Sequence, residues 1–285
     1  MKILLTGDRG RIGGPTRAVL EAAGHDVRGF DAAAGDDVRD AQAVLAAAAG
    51  AEAIVHLAGL PDDLGAPPAD VVAVNVLGTH HVLLAAEAVG AQRVVYASSG
   101  KALGMLEQPP EYLPIDDAYP AVPRRPYGLS KWLSERLCQA FTERTGIATI
   151  CLRPVRVLDA AAWEPLAGVD ELPPGRDGSW HLGVFVDVDD VADAVVASLE
   201  CPDPGHVRAL LCAADVGSTR PTAELVAEHL PGVRRRDGAA YEPGSRQSLV
   251  DTSTARDVLG WTARRSWDNR NRREAALAVA EGGRR

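Results

Sequence analysis

None of the four cysteines (Cys138, Cys151, Cys201, Cys212) shares a C-x-x-C spacing with another. This absence removes the usual zinc and dithiol signatures and leaves scattered thiols of the kind that stay reduced in a cytosolic protein. Cys151 and Cys212 fall in apolar, strand-like runs and read as core residues. A surplus of positive charge is also missing: the net charge is −9, the reverse of the basic stripe that nucleic acid demands. Arg234-Arg235-Arg236 follows Pro231-Gly232 and reads as a solvated turn. No uninterrupted apolar stretch reaches membrane-spanning length. The N-terminus enters a strand directly, with no room for a signal peptide, and no solenoid-type repeat occurs. The expectation is a cytoplasmic protein with neither nucleic-acid nor membrane partners. His80 and His81 are adjacent and cannot form an i, i+4 metal pair. His56 ends a core strand and reads as packed, whereas His181, in the looser second half, could touch a substrate. No metal is implied.

The 285 residues, 46% of them hydrophobic, suffice for one large domain or two unequal ones. Through Arg153 the pattern alternates. Strands are predicted near 2–6, 26–30, 53–57, 92–97 and 147–152, and helices near 15–23, 40–49, 68–89 and 126–145. Such alternation implies an α/β fold with a doubly wound parallel sheet covered on both faces. Ligands on such sheets lie beyond the carboxyl ends of the strands. From Pro154 onward the pattern loosens. Residues 163–179 read as a Pro/Gly-rich loop, 184–188 and 207–213 as strands, and 222–230 as a helix. Residues 189–199 read as another helix, with Asp189 or Asp190 near its N-cap. The division expected is a nucleotide-binding domain over 1–153, with some later elements returning to its sheet, and a smaller substrate-binding region over 154–285. The tail from 269 onward reads as a frayed helix.

Gly7-Asp8-Arg9-Gly10-Arg11-Ile12-Gly13 lies between the first strand and first helix, the context a dinucleotide fingerprint requires. Gly7 permits the tight turn, Gly10 lets a pyrophosphate approach the backbone, and Gly13 lets the helix pack on the sheet. The helix N-terminus then offers unpaired amides to phosphate. A plain glycine-rich turn without a ligand is the bland alternative. Pro15 sits where the first helical turn tolerates it. The second strand ends at Asp31, about twenty residues after the turn, where a carboxylate accepts hydrogen bonds from both ribose hydroxyls and repels a 2′-phosphate. NAD is therefore favoured over NADP, although Arg9 or Arg28 could reach a 2′-phosphate.

Tyr127 and Lys131 are four residues apart, on one helix face. A free phenol ionises near pH ~10, and a fixed cation beside it favours the phenolate. The pair can therefore exchange a proton with a substrate hydroxyl or carbonyl, although a Tyr and a Lys at this spacing are also common on a solvated face.

Together these motifs resemble the extended short-chain dehydrogenase/reductase family of NAD-dependent epimerases and dehydratases, whose nucleotide domain is a Rossmann fold. The nucleotide turn carries the resemblance over Gly7, Arg9, Gly10, Arg11, Ile12 and Gly13, and Tyr127 with Lys131 matches Y-x-x-x-K. Between them, Asp37 and Val38 match residues that contact the adenine. Leu57, Ala58 and Gly59 match the strand end along the cofactor, and Asn75 matches the N-V-x-G-T segment behind it. Ala97, Ser98 and Ser99 match the strand that delivers the catalytic serine. Arg153 and Pro154 and the segment 251–261 match later stations, so the similarity runs from Lys2 to about Trp261. The resemblance implies Ser99, Tyr127 and Lys131 as catalytic groups. Tyr127 exchanges the hydroxyl proton. Lys131 holds the phenolate and binds the nicotinamide ribose. Ser99 hydrogen-bonds the same oxygen. Cofactor contacts come from Asp31, the residues just named and Pro154, with Ser98 either structural or cofactor-facing. Ser99 has a local alternative, a strand-terminating serine bonded to its own backbone.

Gly100 and Lys101 stand where 4,6-dehydratases carry an acidic pair, which argues against dehydration. The implied function is NAD-dependent redox chemistry at a sugar carbinol, on a nucleotide sugar first and on a free sugar or uronic acid second. A non-catalytic dinucleotide sensor is the alternative from another class. Relatives pair through the helices matching 70–89 and 127–144, so a homodimer is expected.

Overall fold

The computed structural model describes residues 1–269 apart from 62–64, 106, 174–182 and 237–240. His181 and the tail from 270 therefore lie outside the described residues.

The first half of the chain builds short strands, most of them largely apolar. They are β1 (Lys2–Thr6), β2 (Asp26–Phe30), β3 (Ala53–His56), β4 (Arg93–Ala97) and, after a two-residue β5 (Tyr112–Leu113), β6 (Ala148–Pro154). All four residues of β3 and all seven of β6 are buried, as expected of strands covered on both faces. Helices α1 (Gly13–Ala22) and α2 (Ala41–Ala48) join the first three strands. Asp40 starts α2 by accepting the amides of Gln42 and Ala43, an N-cap. A continuous helical run over 68–89 comes next: α3 (Pro68–Val72), a wide π-turn (Ala73–Leu77) and α4 (Gly78–Val89). α5 (Pro126–Thr145) begins with proline at its first position and ends at Gly146 with φ +75°.

The second half adds β7 (Val157–Leu158), α6 (Ala160–Trp163), β8 (Val186–Asp187), α7 (Val188–Glu200) and β9 (His206–Leu211). After these come α8 (Thr222–His229), β10 (Arg234–Arg235) and α9 (Ser253–Leu259). The main sheet is parallel in the order β2-β1-β3-β4-β6-β9, so a strand from beyond residue 154 forms one edge. The chain leaves β1 toward β2 and then crosses to β3 on the other side, which puts a topological switch point beside β1. One register row crosses the sheet near its carboxyl edge: Phe30, Thr6, His56, Tyr96, Cys151 and Arg208. The loops that leave these strands therefore open onto a common rim.

Two expectations from sequence need correction. The N-cap of α7 is Asp187, which accepts the amide of Asp189. Asp190 is instead buried, accepting the backbone N–H groups of Arg264 and Arg265 and pairing with the Arg265 guanidinium. The basic run 234–236 is no solvated turn. Arg234 and Arg235 form β10 and stack over Tyr112 and Tyr241, while Arg236 pairs with Asp116 and Asp251. Aromatic faces and carboxylates contributed by distant segments hold these cations. All four cysteines are free and buried.

Candidate functional site

The glycine-rich turn meets the end of β3 at contact distance. Gly7 has φ +74°, and a Cβ built on it would lie 2.6 Å from the backbone nitrogen of Ala58. A Cβ on Gly13 would fall 1.9 Å from the Gly7 carbonyl oxygen. No side chain fits at either place, so the backbone of the turn stays bare, the condition for a pyrophosphate to approach it. Asp31 supports the turn: its carboxylate accepts N–H bonds from Arg9 at 3.0 Å and Ala33 at 2.8 Å. An ionised carboxylate has about four acceptor positions, so capacity remains for ribose hydroxyls. The site thus fits a dinucleotide. Arg11 reaches from the turn to Asp159 at 2.9 Å, Asp37 is chelated by Arg39, and Val38 is buried under α4.

About three turns of α5 face inward along one stripe. Tyr127, Lys131, Glu135 and Cys138 are all buried, at spacings of four, four and three residues. The Lys131 ammonium donates to the Ala97 carbonyl at 2.8 Å, lies 5.8 Å from the Tyr127 ring centre and 4.9 Å from that of Tyr96. A Cβ on Gly59 would stand 3.4 Å from the Lys131 nitrogen. The ends of β3 and β4 and the first turns of α5 therefore converge. Burial pushes the Lys131 pKa down to about 8, with the negative charge of Glu135 opposing that fall.

Ser99 comes directly after β4 and starts a tight turn over Gly100–Leu103, accepting the Lys101 N–H at 3.2 Å. The local backbone bond foreseen for this serine is thus present. It occupies one acceptor position of the hydroxyl and does not consume the donor. Ser98 is committed elsewhere, donating to Glu135 at 2.6 Å. Pro154 lies close by, its carbonyl oxygen 3.8 Å from a Cβ built on Gly100.

Below the rim runs a buried polar network. Thr79 donates to the Asn75 carbonyl at 2.6 Å, so its oxygen accepts from His56 Nε2 at 3.1 Å, and His56 Nδ1 accepts from Thr6 at 2.7 Å. This assignment makes His56 neutral, and burial together with the Lys131 charge pushes its pKa down to about 3. The Asn75 amide clamps both backbone groups of Leu60 and donates to Ser130 at 3.0 Å. Asn75 therefore fixes the loop after β3 to the catalytic-helix candidate α5.

Sequence reasoning missed the ion pair beneath the site. Arg153, 1% exposed, grips Glu135 through two bonds of 2.8 and 2.7 Å and also reaches Asp117 at 3.1 Å. The signal was available: a charged residue inside the apolar run of β6 needs a partner, and Glu135 continues the four-residue spacing of Tyr127 and Lys131.

A family model for the NAD-dependent epimerase/dehydratase family matches residues 3–160. The chain belongs to that family. It is 27% identical over 217 residues to a uronate dehydrogenase of Pseudomonas syringae pv. tomato, covering 72% of each chain. With other curated relatives the matched stretch spans 33% to 59% of their length. A short-chain dehydrogenase/reductase superfamily protein from Agrobacterium tumefaciens, solved with bound NAD, superposes with a TM-score of 0.74. The two are 26% identical over 100% of both chains. The UDP-glucose 4-epimerase of Thermotoga maritima, solved with UDP-glucose, shares the fold with a TM-score of 0.73 at 20% identity, covering 99% of each chain. Among the described residues no cluster of His, Cys, Asp and Glu could hold a metal ion.

Proposed function

We propose that this family member is an NAD-dependent dehydrogenase that oxidises a carbinol of a free uronic acid. The observation that carries the redox reading is the seating of the Lys131 ammonium between Tyr127, the Ala97 carbonyl and Gly59, beside the bare turn at Gly7. Bound NAD supplies the hydride acceptor. Tyr127 takes the proton of the substrate hydroxyl as the carbon–oxygen double bond forms, and Lys131 favours the phenolate that accepts it. Ser99 donates a hydrogen bond to the same oxygen and fixes its direction. Asp31 at the ribose favours NAD over its 2′-phosphorylated form.

Sequence reading put a nucleotide sugar first. The free acid is preferred here because the Pseudomonas uronate dehydrogenase matches over most of both chains. Segments of 154–285 contribute the substrate side. Two copies pair through the outer faces of the 68–89 run and α5, where Val72, Leu77 and Leu84 are exposed beside a groove reaching Leu137. The apolar run is long enough to cross a membrane by composition, yet 44% of its apolar window is buried inside the protein. A packed helix with one apolar outer face meets both facts.

The test is NAD reduction with D-glucuronate and D-galacturonate set beside UDP-glucose, with Tyr127→Phe as control. Stoichiometric NAD reduction on a uronate, lost by at least about a hundredfold in the variant, is the expected result. Undiminished turnover in the variant removes Tyr127 as the base. NAD binding with no turnover of any sugar favours the sensor.

A further inference from the structure

We infer that Ser98 is a positioning residue for the reaction: its hydroxyl ties the end of β4 to α5 through Glu135 and so sets where Ser99 stands relative to Tyr127. The assignment rests on the redox reading of the site, with Ser99 and Tyr127 acting on one oxygen. It is independent of which sugar is the substrate.

Three consecutive residues at the end of β4 have three different tasks. The Ala97 carbonyl accepts from the Lys131 ammonium at 2.8 Å, the Ser98 hydroxyl donates to Glu135 at 2.6 Å, and Ser99 opens the tight turn over Gly100–Leu103. Lys131 and Glu135 stand about one turn apart on the buried stripe that begins at Tyr127. Strand end and helix are thus joined by two rungs, Ala97 with Lys131 and Ser98 with Glu135. The rungs differ in stiffness. The first runs through the flexible four-carbon stem of a lysine, which follows a shift of the helix by changing rotamer. The second starts from a hydroxyl set directly on Cβ, so it passes any movement of Glu135 straight to the backbone at Ser98. Its length falls in the range of about 2.5–2.7 Å for O–H···O⁻ bonds, roughly twice as strong as neutral ones.

Glu135 is itself held still. It is fully buried, and Arg153, 1% exposed, grips it by bonds of 2.8 and 2.7 Å. Arg153 belongs to β6, the neighbour of β4 in the sheet. The Ser98 hydroxyl therefore docks on a carboxylate fixed to both the helix and the adjacent strand. The close pass of Gly128 over the Lys101 carbonyl limits how near α5 comes, but a packing contact of that kind sets no direction. Without the Ser98 bond the backbone there is free to turn, and the Ser99 oxygen, one residue on, turns with it. A misplacement of about 1 Å can cost a hundredfold in rate.

The experiment measures kcat, KM and NAD affinity for wild type, Ser98→Ala, Ser99→Ala and the double variant. The substrate is whichever of D-glucuronate, D-galacturonate and UDP-glucose the wild type turns over, and urea denaturation gives the folded fraction of each protein. Glu135 keeps both Arg153 bonds in Ser98→Ala, so that variant is expected to fold. It is expected to lose about tenfold or more in kcat per folded molecule, with KM and NAD affinity within about twofold of wild type. In the Ser99→Ala background the same change is expected to cost less than about twofold, because the group it positions is gone. Equal losses in both backgrounds overturn the assignment and leave the redox reading standing. Lowered urea resistance with kcat unchanged, or a loss carried by KM or NAD affinity, does the same. Ser99→Ala turning over at the wild-type rate takes Ser99 out of the reaction and this assignment with it. Wild type inert on every one of these sugars removes both the redox reading and the assignment.

Discussion

Replacing Lys131 by methionine isolates the energetic consequence of seating an ammonium group in the core. The side chain is 4% exposed, and burial lowers its pKa from 10.5 to about 8. That gap is equivalent to about 3 kcal/mol. Between the two values the unfolded chain binds a proton that the folded chain has released, so stability rises with pH across the window. Below pH 8 the whole penalty is present, and above 10.5 it is gone. Methionine fills similar space without a proton to lose. The stability of wild type relative to Lys131→Met should therefore climb by about 2–3 kcal/mol from about pH 7 to about pH 10. Tyrosines and cysteines that titrate in the same range do so in both proteins and cancel in the difference. Urea denaturation of cofactor-free protein at several pH values reads it directly. Parallel curves, differing in pH dependence by less than about 1 kcal/mol, would refute the idea that this lysine is held charged against desolvation.

Glu135→Gln leaves the buried Arg153 charge with only Asp117 and should cost about 3–5 kcal/mol in urea denaturation. Replacing both partners, Glu135→Leu with Arg153→Met, should cost less than the single change, because no orphaned charge remains. Asp40→Ala removes the cap of α2 and should lower stability by about 1 kcal/mol, read from the same measurement. Gly7→Ala forces a methyl group toward Ala58 at φ +74°. It should destabilise by at least about 1–2 kcal/mol and weaken NAD binding, measured by calorimetry, tenfold or more.

The nucleotide half was legible because its signals are local. An apolar strand, a glycine turn and a helix succeed one another within two dozen residues, and Asp31 comes at the next strand end. The spacing of Tyr127 and Lys131 placed both on one helix face, and the structure buries both on α5. What sequence hid depends on partners far away in the chain. Arg234 and Arg235 looked solvated because the rings of Tyr112 and Tyr241 arrive from other segments. The start of α7 was placed one residue late, and its cap on Asp189 or Asp190 instead of Asp187, because three aspartates in four positions each satisfy an N-cap pattern. Only the packing of Arg264 and Arg265 removes Asp190 from contention.

The π-turn at Ala73–Leu77 has a bearing on how this protein can change. Within it the carbonyl of Asn75 accepts from the hydroxyls of Thr79 and Ser134. Deleting one residue there would restore an ordinary helix with a better-filled ladder. The same deletion would swing Asn75 out from under Leu60 and Ser130, loosening the loop that borders the cofactor turn. The shortening would therefore loosen both the buried polar network and the loop that it holds. The bulge thus ties the geometry of the cofactor-side loop to the length of one helix.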